Sequence, residues 1–481
     1  MSRNGSGTYT LPTGNPVVTG TTITSSWANT TMQNIADGLT QSVSADGQTP
    51  MSGALNMATN KINNLGTPIV STDASTKAYV DLTQTAAAIT GGTITGATLT
   101  NDTIDSTPIG NTTRSTVKAT TLDLGLSTQS VAIGQGNASI MKNRIINGAM
   151  VIDQRNAGAA VTPSSDGYLL DRWSYAASQT SKFTFQQNKG SVTPPTGFTK
   201  YFGCSTASAV TVGAGDYFFI NQIIEGYNIA DLGWGTASGK TVTLSFQVYS
   251  SLTGTFGGSL RSDTGTQNYP FSYTVSSANT WTSISVTVPA PTVGTTWNTT
   301  NGQGLFVVFG LGIGTTYGSG TAGAWTTSNY YAPTGSVSVV GTLNATFYIT
   351  GVQLEVGSSA TGFEYVNYQT SLANCQRYYS KMNSTVSNGA CGAGLARSST
   401  ASNMFIKLPV TMRTIPTVSY SSAYLNYNSD VYQAVTSNSG VQGGTDSINY
   451  FPNSSTAGMT SGYPVLLAIG SGGYVDFSSE L

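Results

Sequence analysis

Between Ile89 and Ile109 the chain reads I-TGGT-I-TGAT-L-TNDT-I-DSTP-I, so Ile89, Ile94, Leu99, Ile104 and Ile109 recur at every fifth position with small or polar residues between them. No regular element has that period. An amphipathic helix needs apolar spacings of three and four and a half-buried strand needs two, so a spacing of five through Gly, Thr and Asn specifies short extended segments broken by turns. One inward side chain per segment cannot make a core. The ladder is stable only if each row is covered by a neighbouring coil or by other copies of the chain. A pentapeptide-repeat solenoid would place a small residue two before each large one; Gly92 and Ala97 comply, but Asp102 and Thr107 do not. The alternative is a disordered Gly/Thr linker with apolar residues spaced by chance, against which stand five positions in register and a further five-residue spacing between Val117 and Leu122. The pattern therefore predicts a β-rich shaft threaded by several identical chains, with the ladder as its core.

The other parts of the chain must supply whatever chemistry there is. At 481 residues it exceeds what one hydrophobic core serves. Only 8% of residues are charged and the net charge is −1, so there is neither a basic nucleic-acid footprint nor an acidic tail. Ser, Thr, Asn and Gly carry the polarity, and they favour turns and β surfaces. The absence of histidine excludes Ser-His-Asp and Cys-His nucleophiles and His-ligated zinc. Cys204, Cys375 and Cys391 are odd in number and far apart, which points to buried free thiols and folding in a reducing cytoplasm. The first residues lack the apolar run of a secretory signal, and no stretch reaches membrane-span length. An extracellular role would require another exit, such as cell lysis.

The opening Gly/Thr/Asn/Pro-rich residues are expected to be extended. Within TTITSSWANTTMQNIADGLTQSV, Trp27, Thr31, Ile35 and Leu39 share a helical face, with Ser25 or Ser26 as N-cap and Gly38 near the C-terminus. Trp27 fits a plain core role or a docking role equally well. Three words follow: P-M-S-G-A-L-N-M (Pro50 to Met57), N-K-I-N-N-L-G (Asn60 to Gly66) and D-A-S-T-K-A-Y-V-D (Asp73 to Asp81). They read as short strands ending near Gly66 to Pro68, then a helix capped by Thr72 or Asp73 with Ala74, Ala78 and Leu82 on one face. The same words resemble the collar segment of bacteriophage tail fibres. That resemblance implies a parallel three-chain bundle and an N-terminal attachment region, with Trp27, Ile35 and Leu39 facing a tail adaptor, nozzle or baseplate protein.

From Lys142 the texture changes. N-G-A-M-V-I-D-Q-R-N-A-G (Asn147 to Gly158) and D-R-W (Asp171 to Trp173) resemble words in phage tail proteins at the start of a β-sandwich related to carbohydrate-binding modules, and G-V-Q-L-E-V-G (Gly351 to Gly357) closes it. Alternation between these words predicts strands at Phe183 to Gln187, Tyr217 to Glu225, Lys240 to Ser250, Trp281 to Pro289, Leu305 to Ile313 and Ala345 to Val356, which suit a jelly roll. After Tyr368 a second β unit begins. Its F-I-K-L-P-V-T-M-R-T-I-P-T-V-S-Y (Phe405 to Tyr420) resembles a strand pair of distal tail-protein domains, and the final Y-P-V-L-L-A-I-G and Y-V-D-F suggest a finished tip.

Together these readings give a mainly β, elongated homotrimeric fibre: a virion-attachment region (1–50), a collar and short helical bundle (51–85), a repetitive β shaft (86–140), a jelly-roll carbohydrate-binding-like domain (141–368) and a distal β tip (369–481). The expected role is a structural tail fibre of the virion recognising a host polysaccharide or lipopolysaccharide, with no cofactor, nucleic-acid partner or membrane insertion. Sugar binding needs aromatic platforms beside amides and hydroxyls. Trp297, Trp325, Asn329, Tyr330 and Tyr331 in the sandwich loops, and Tyr424, Tyr427 and Tyr432 in the distal unit, are the candidates. The alternative is a tailspike-type depolymerase, which would need two facing carboxylates, Asp166 with Asp171 or Glu355 with Glu364. Asp171 with Arg172 reads more simply as a structural ion pair, and no metal-ligand spacing appears. Replacing Ile94, Leu99 and Ile104 by Ser should cost several kcal/mol per trimer, at about 1.5–3 kcal/mol per buried side chain. Thermal melting with mass measurement checks this, and an unchanged heat-stable trimer would refute the shaft.

Overall fold

The structure, a computed structural model of the full chain, describes residues 13, 15–40, 59, 62–70, 73–75, 142–291, 297–384, 386, 388–427 and 431–481. The pentad ladder and most of the collar lie outside these. The chain divides by contact into Met1–Thr121 and Leu122–Leu481.

In the first unit the expected helix is present as α1 (Ser25–Thr40). Its cap is not Ser25 or Ser26. Thr24 Oγ1 accepts from Trp27 N at 3.2 Å, one residue upstream of the expected position. Trp27 and Ile35 are half-buried while Leu39 is 68% exposed, so the apolar face is only partly covered. Asp73 was expected to cap a following helix. That helix falls mostly outside the described residues; Asp73 Oδ2 accepts from Ile69 N (2.7 Å) and Val70 N (3.1 Å), bonds that hold its pKa below the ordinary value. No helix of the described residues is long and apolar enough to cross a membrane.

The described residues of the second unit are all β but for one short α-helix and a few 3-10 turns. One sheet of the sandwich runs β1 (Gly167–Leu170), β2 (Trp173–Ala177), β5 (Tyr217–Glu225), β10 (Gln303–Ile313), β7 (Gly254–Ser262), β8 (Asn268–Val275). The other runs β3 (Phe183–Gln187), β4 (Phe202–Thr206), β11 (Thr346–Val356), β6 (Val242–Ser250), β9 (Thr282–Val288). All pairings are antiparallel, and alternate residues such as Phe218, Ile220, Leu244, Phe246, Val307 and Phe309 fill one core between the sheets. The six strands expected from alternation are all present. Strands β1, β2, β4, β7 and β8 were not anticipated, and β7 shows why. Its Gly257 and Gly258 erase the apolar alternation because nothing larger fits: a Cβ on Gly258 would lie 2.1 Å from Val308 O. Strand β8 carries Pro270, which an edge strand tolerates.

The words that opened and closed the sandwich in the sequence lie side by side. Arg144 N donates to Leu354 O (2.9 Å), Val352 N donates to Gly148 O (3.0 Å), and the Asn147 side chain bonds Ile152 and the Asp171 carbonyl. Gly148 is required there, since a Cβ would sit 2.1 Å from Val352 O. Asp171 does not pair with Arg172. Both its carboxylate oxygens accept from Gln154, at 2.7 and 2.6 Å, and burial raises its pKa to about 6 against the opposing pull of Arg155 and Gln154.

After α2 (Tyr368–Gln376), the second β unit runs through β12 (Tyr379–Asn383), β13 (Gly389–Ala396), β14 (Ser402–Lys407), β15 (Thr417–Tyr427), β16 (Val431–Gly443), β17 (Ser447–Ser454) and β18 (Pro464–Ser478). Strands β13, β14, β17, β16, β15 and β18 form a closed barrel, because β18 pairs with both β13 and β15. Closure leaves no edge in that ring to aggregate. The expected strand pair at Phe405 to Tyr420 is corrected: β14 and β15 are not neighbours but are separated in the ring by β17 and β16. The core holds Met404, Ile406, Leu425, Ile448, Tyr450, Leu467 and Phe477.

Glu480, just past β18, is clamped between two arginines of the sandwich words. Arg155 Nη2 reaches Oε1 at 2.8 Å, Arg172 Nη1 reaches Oε2, and Arg172 also donates to Ile223 O. The guanidinium groups lie 3.7 Å over the rings of Tyr379 (Arg155) and Tyr378 (Arg172). Beside them Glu225 accepts from Arg377 at 2.8 and 2.6 Å and from the Tyr378 hydroxyl at 2.5 Å. The segment after β18 is therefore held against the sandwich. Removing one partner of such a buried pair costs about 3–5 kcal/mol, so Glu480→Gln should lower the melting temperature sharply. Burial alone would raise the Glu225 pKa, yet the bonds from Arg377 and Tyr378 and the nearby positive charge outweigh it and hold it below 4.5. Its stabilisation is then present above the unfolded value and lost as pH falls through the folded one. Melting curves from neutral to acid should show a smaller acid loss for Glu225→Gln than for the native chain, and equal slopes would remove this assignment.

Candidate functional site

Three surfaces combine aromatic rings with amides and hydroxyls. The first is the outward face of β6 and β9. With Val242, Leu244, Phe246 and Val248 turned inward, β6 presents Ser245, Gln247 and Tyr249, and β9 presents Ser283, Ser285 and Thr287. The register sets Gln247 opposite Ser283 and Ser245 opposite Ser285. Gln247 and Ser283 exchange bonds of 2.8 and 3.0 Å. Half-buried Trp281 and Tyr249 adjoin this ladder with ring centres 5.5 Å apart, and Trp281 is fixed by donating to Thr193 O (2.8 Å). None of these residues was a sequence candidate. The signal was present in the two-residue alternation of SISVTV, which sets Ser283, Ser285 and Thr287 on the face opposite Ile284, Val286 and Val288.

The second surface lies on the barrel. Tyr424 and Asn426 share the outward face of β15, with Tyr432 of β16 opposite Asn426 and Leu466 of β18 on its other side. Tyr427, which the sequence grouped with them, has the opposite orientation. It packs on the barrel core and its hydroxyl accepts from Gln433 Nε2 at 2.6 Å. It also lines a cavity of about 610 Å³ with Asn426, Met459, Thr460, Tyr463 and Leu466. Tyr463 is 64% exposed there, and Gly458 keeps the space open, since a Cβ would stand 2.1 Å from the Tyr427 hydroxyl.

The third is the loop after β10, where the sequence candidates divide. Trp297 is 5% exposed and Trp325 packs on it and on Trp234, with ring centres 6.0 and 5.5 Å away. Trp325 also donates to Pro289 O at 2.8 Å. Trp297 is enclosed in the sandwich core, whereas Trp325 is half-buried and packs against that core from outside. Asn329 is exposed and Tyr330 half-buried. Tyr331 stacks on Tyr317 (5.0 Å, 22°), tilts against Phe219 (4.8 Å) and carries the Arg261 guanidinium 4.4 Å above its ring. Arg261 was not a sequence candidate.

A cleft of about 700 Å³ also separates the sandwich's opening segment from α2, lined in part by Phe198, Phe363, Tyr365 and Asn374. Its cations are already neutralised: Arg377 by Glu225 and Arg144 by Asp231 at 2.8 Å. The carboxylates considered for hydrolysis are engaged too. Glu355 accepts from Thr361 N and Oγ1 and from Gln353, Glu364 from Asn143 N, and Asp166 from Ala177 N. Among the described residues no cluster of His, Cys, Asp or Glu is arranged to hold a metal. The three thiols are unpaired, Cys204 and Cys375 buried and Cys391 half-buried.

No protein-family model and no curated protein matches the chain. Similar solved structures include the enzymatically active domain of tailspike protein 4 from bacteriophage CBA120, at 14% identity and TM-score 0.24, covering 45% of this chain and 21% of that one. A putative sugar binding protein from Bacteroides thetaiotaomicron is 12% identical with TM-score 0.26, covering 45% of this chain and all of its own (100%). A family 11 carbohydrate-binding module of a cellulosomal cellulase from Clostridium thermocellum is 14% identical with TM-score 0.22, covering 43% and 100%. Binding chemistry has to be read from the side chains above. Trp297→Ala should cost about 3–5 kcal/mol of stability and lower the melting temperature. If it left melting intact and abolished ligand binding alone, its placement in the core would be wrong.

Proposed function

We propose that the chain is a phage tail fibre: a non-enzymatic homotrimer, fixed to the virion through its N-terminal region, whose β-sandwich and barrel recognise a polysaccharide or lipopolysaccharide of the bacterial surface. The observation that carries this reading is the joining of tail-fibre collar words to two β units whose outward faces are rings, amides and hydroxyls almost without charge. A sugar offers an apolar ring face and a hydroxyl rim, and such surfaces complement both. The engagement of Asp166, Asp171, Glu355 and Glu364 in backbone and side-chain bonds supports binding over hydrolysis. Asp171 in particular has its pKa raised by enclosure, yet it is 0% exposed and saturated by Gln154.

Purified full chain should bind host cells and compete with virus adsorption, leaving the host polysaccharide at its original length. Paired substitutions Tyr249→Ala with Trp281→Ala, and Tyr424→Ala with Tyr463→Ala, should retain the fold. At about 0.5–1.5 kcal/mol per aromatic contact, at least one pair should weaken adsorption about tenfold. Failure of the native chain to bind host cells would remove the receptor role, full adsorption by both variants would exclude these two surfaces from it, and shortened polysaccharide would replace it with a depolymerase.

A further inference from the structure

Arg261 is only 9% exposed, and among the described residues it takes part in no ion pair. The comparably buried Arg144, Arg155 and Arg172 each face a carboxylate. Arg261 Nε donates to Asn268 Oδ1 at 3.0 Å and Nη2 to Asn329 Oδ1 at 2.5 Å, both neutral acceptors. Its guanidinium lies over Tyr331 at 4.4 Å and near Phe306 at 5.7 Å. The surroundings are built to hold this group. Asn268, wholly buried, donates to Gly265 O (2.7 Å) and Ser328 O (2.6 Å), tying the β7–β8 turn and the loop after β10 around it. Gly265 adopts a φ of +68°, and a Cβ there would come within 2.9 Å of Arg261 Nη2. The nearest carboxylate in sequence, Asp263, turns Oδ1 to Thr264 N at 2.8 Å. Burial pulls the Arg261 pKa below its ordinary value, offset only in part by the Tyr331 phenol.

A buried cation held by neutral amides and a ring is under-compensated, and a planar guanidinium with donors left over suits a two-oxygen anion. We propose that Arg261, Asn329 and Tyr331 form an acceptor for the anionic group of an acidic surface glycan, a uronate carboxylate or a sugar phosphate. The inference rests on the glycan-receptor reading and narrows it to charged sugars. Arg261 supplies the charge-assisted fork, the exposed Asn329 amide reads an adjacent hydroxyl, and Tyr331 fixes the plane of the guanidinium.

The test titrates full-length protein with methyl β-glucuronide, glucose 6-phosphate, methyl β-glucoside and inorganic phosphate by calorimetry or saturation-transfer NMR. Glucuronide or the sugar phosphate should bind at least about tenfold tighter than glucoside, with affinity falling as salt rises; which of the two binds tighter separates carboxylate from phosphate. Arg261→Met should lose that preference. Asn329→Asp, which keeps the acceptor on Arg261 but adds a competing carboxylate, should abolish the preference for acids should Arg261→Met fail to fold. Equal binding of glucoside and glucuronide, no binding of either acid, or inorganic phosphate binding as tightly as both sugars would overturn the proposal. A native chain that adsorbs to host cells but ignores both acids leaves the receptor reading standing and removes the anionic site.

Discussion

The arrangement of the second unit depends on the clamp of Glu480 between Arg155 and Arg172. Three ionised groups enter a region where Arg172 is 1% and Glu480 7% exposed, which is unfavourable unless the charges are mutually satisfied and their remaining donors find partners. Here Glu480 meets both arginines, Ile223 O takes one further arginine donor and the rings of Tyr378 and Tyr379 cover the guanidinium faces, while Arg155 Nε and Arg172 Nε stay buried without a partner. Arg413 bonds Ser479 O and Glu480 O, both at 2.7 Å, from the barrel side. An apolar contact would tolerate sliding, whereas this one has a single geometry. It ties the barrel that carries Tyr424 and Tyr432 to the sandwich.

That clamp also explains why the sandwich words look as they do. Asn147, Gln154, Arg155, Asp171 and Arg172 bond one another, the opening segment and the chain's last residues, and none of them lies on a surface proposed for sugar. The words were legible as the opening of a sandwich because they are its frame. The pairing of Arg172 with Glu480 was not, because adjacency in sequence suggested Asp171 while the real partner lies 308 positions away. The two-residue alternation that marked six strands failed at β7 for a related reason. Its glycines answer to Val308 O, Phe271 and Pro333, which only the assembled sheets bring near.

The candidate aromatics illustrate the same limit. A tryptophan in a Gly/Thr loop can serve as a platform or as a plug, and the choice depends on what lies beneath. Trp297 meets the Trp234 ring edge-on and became a plug, with half-buried Trp325 packed against both, while Trp281, whose neighbours in sequence are equally polar, became part of an outer face. The barrel tyrosines divide by strand parity: Tyr424 and Tyr427 are an odd number of residues apart on β15 and must face opposite ways. That consequence was available from the sequence once the strand was assigned. Arg261 was not, since nothing local separates an arginine that meets a carboxylate from one that meets only amides.

In a chain with 8% charged residues, surface recognition falls to weak neutral contacts, each worth little alone. Two properties can make such contacts sufficient. One is rigidity, which the Glu480 clamp provides by removing the entropy of orienting one β unit against the other. The other is repetition, which the tail-fibre reading assigns to the pentad ladder, since a row with one apolar side chain would need further copies to be buried. On the tail-fibre reading these requirements coincide: the shaft that cannot fold alone sets three receptor surfaces at fixed spacing, and effective concentration then raises millimolar contacts to durable attachment. A single buried, unpaired arginine per chain would add selectivity at little cost in affinity for the neutral part of the ligand. It rejects a sugar lacking the anion more strongly than any hydroxyl contact can, because an unsatisfied buried charge is the most expensive group to leave alone.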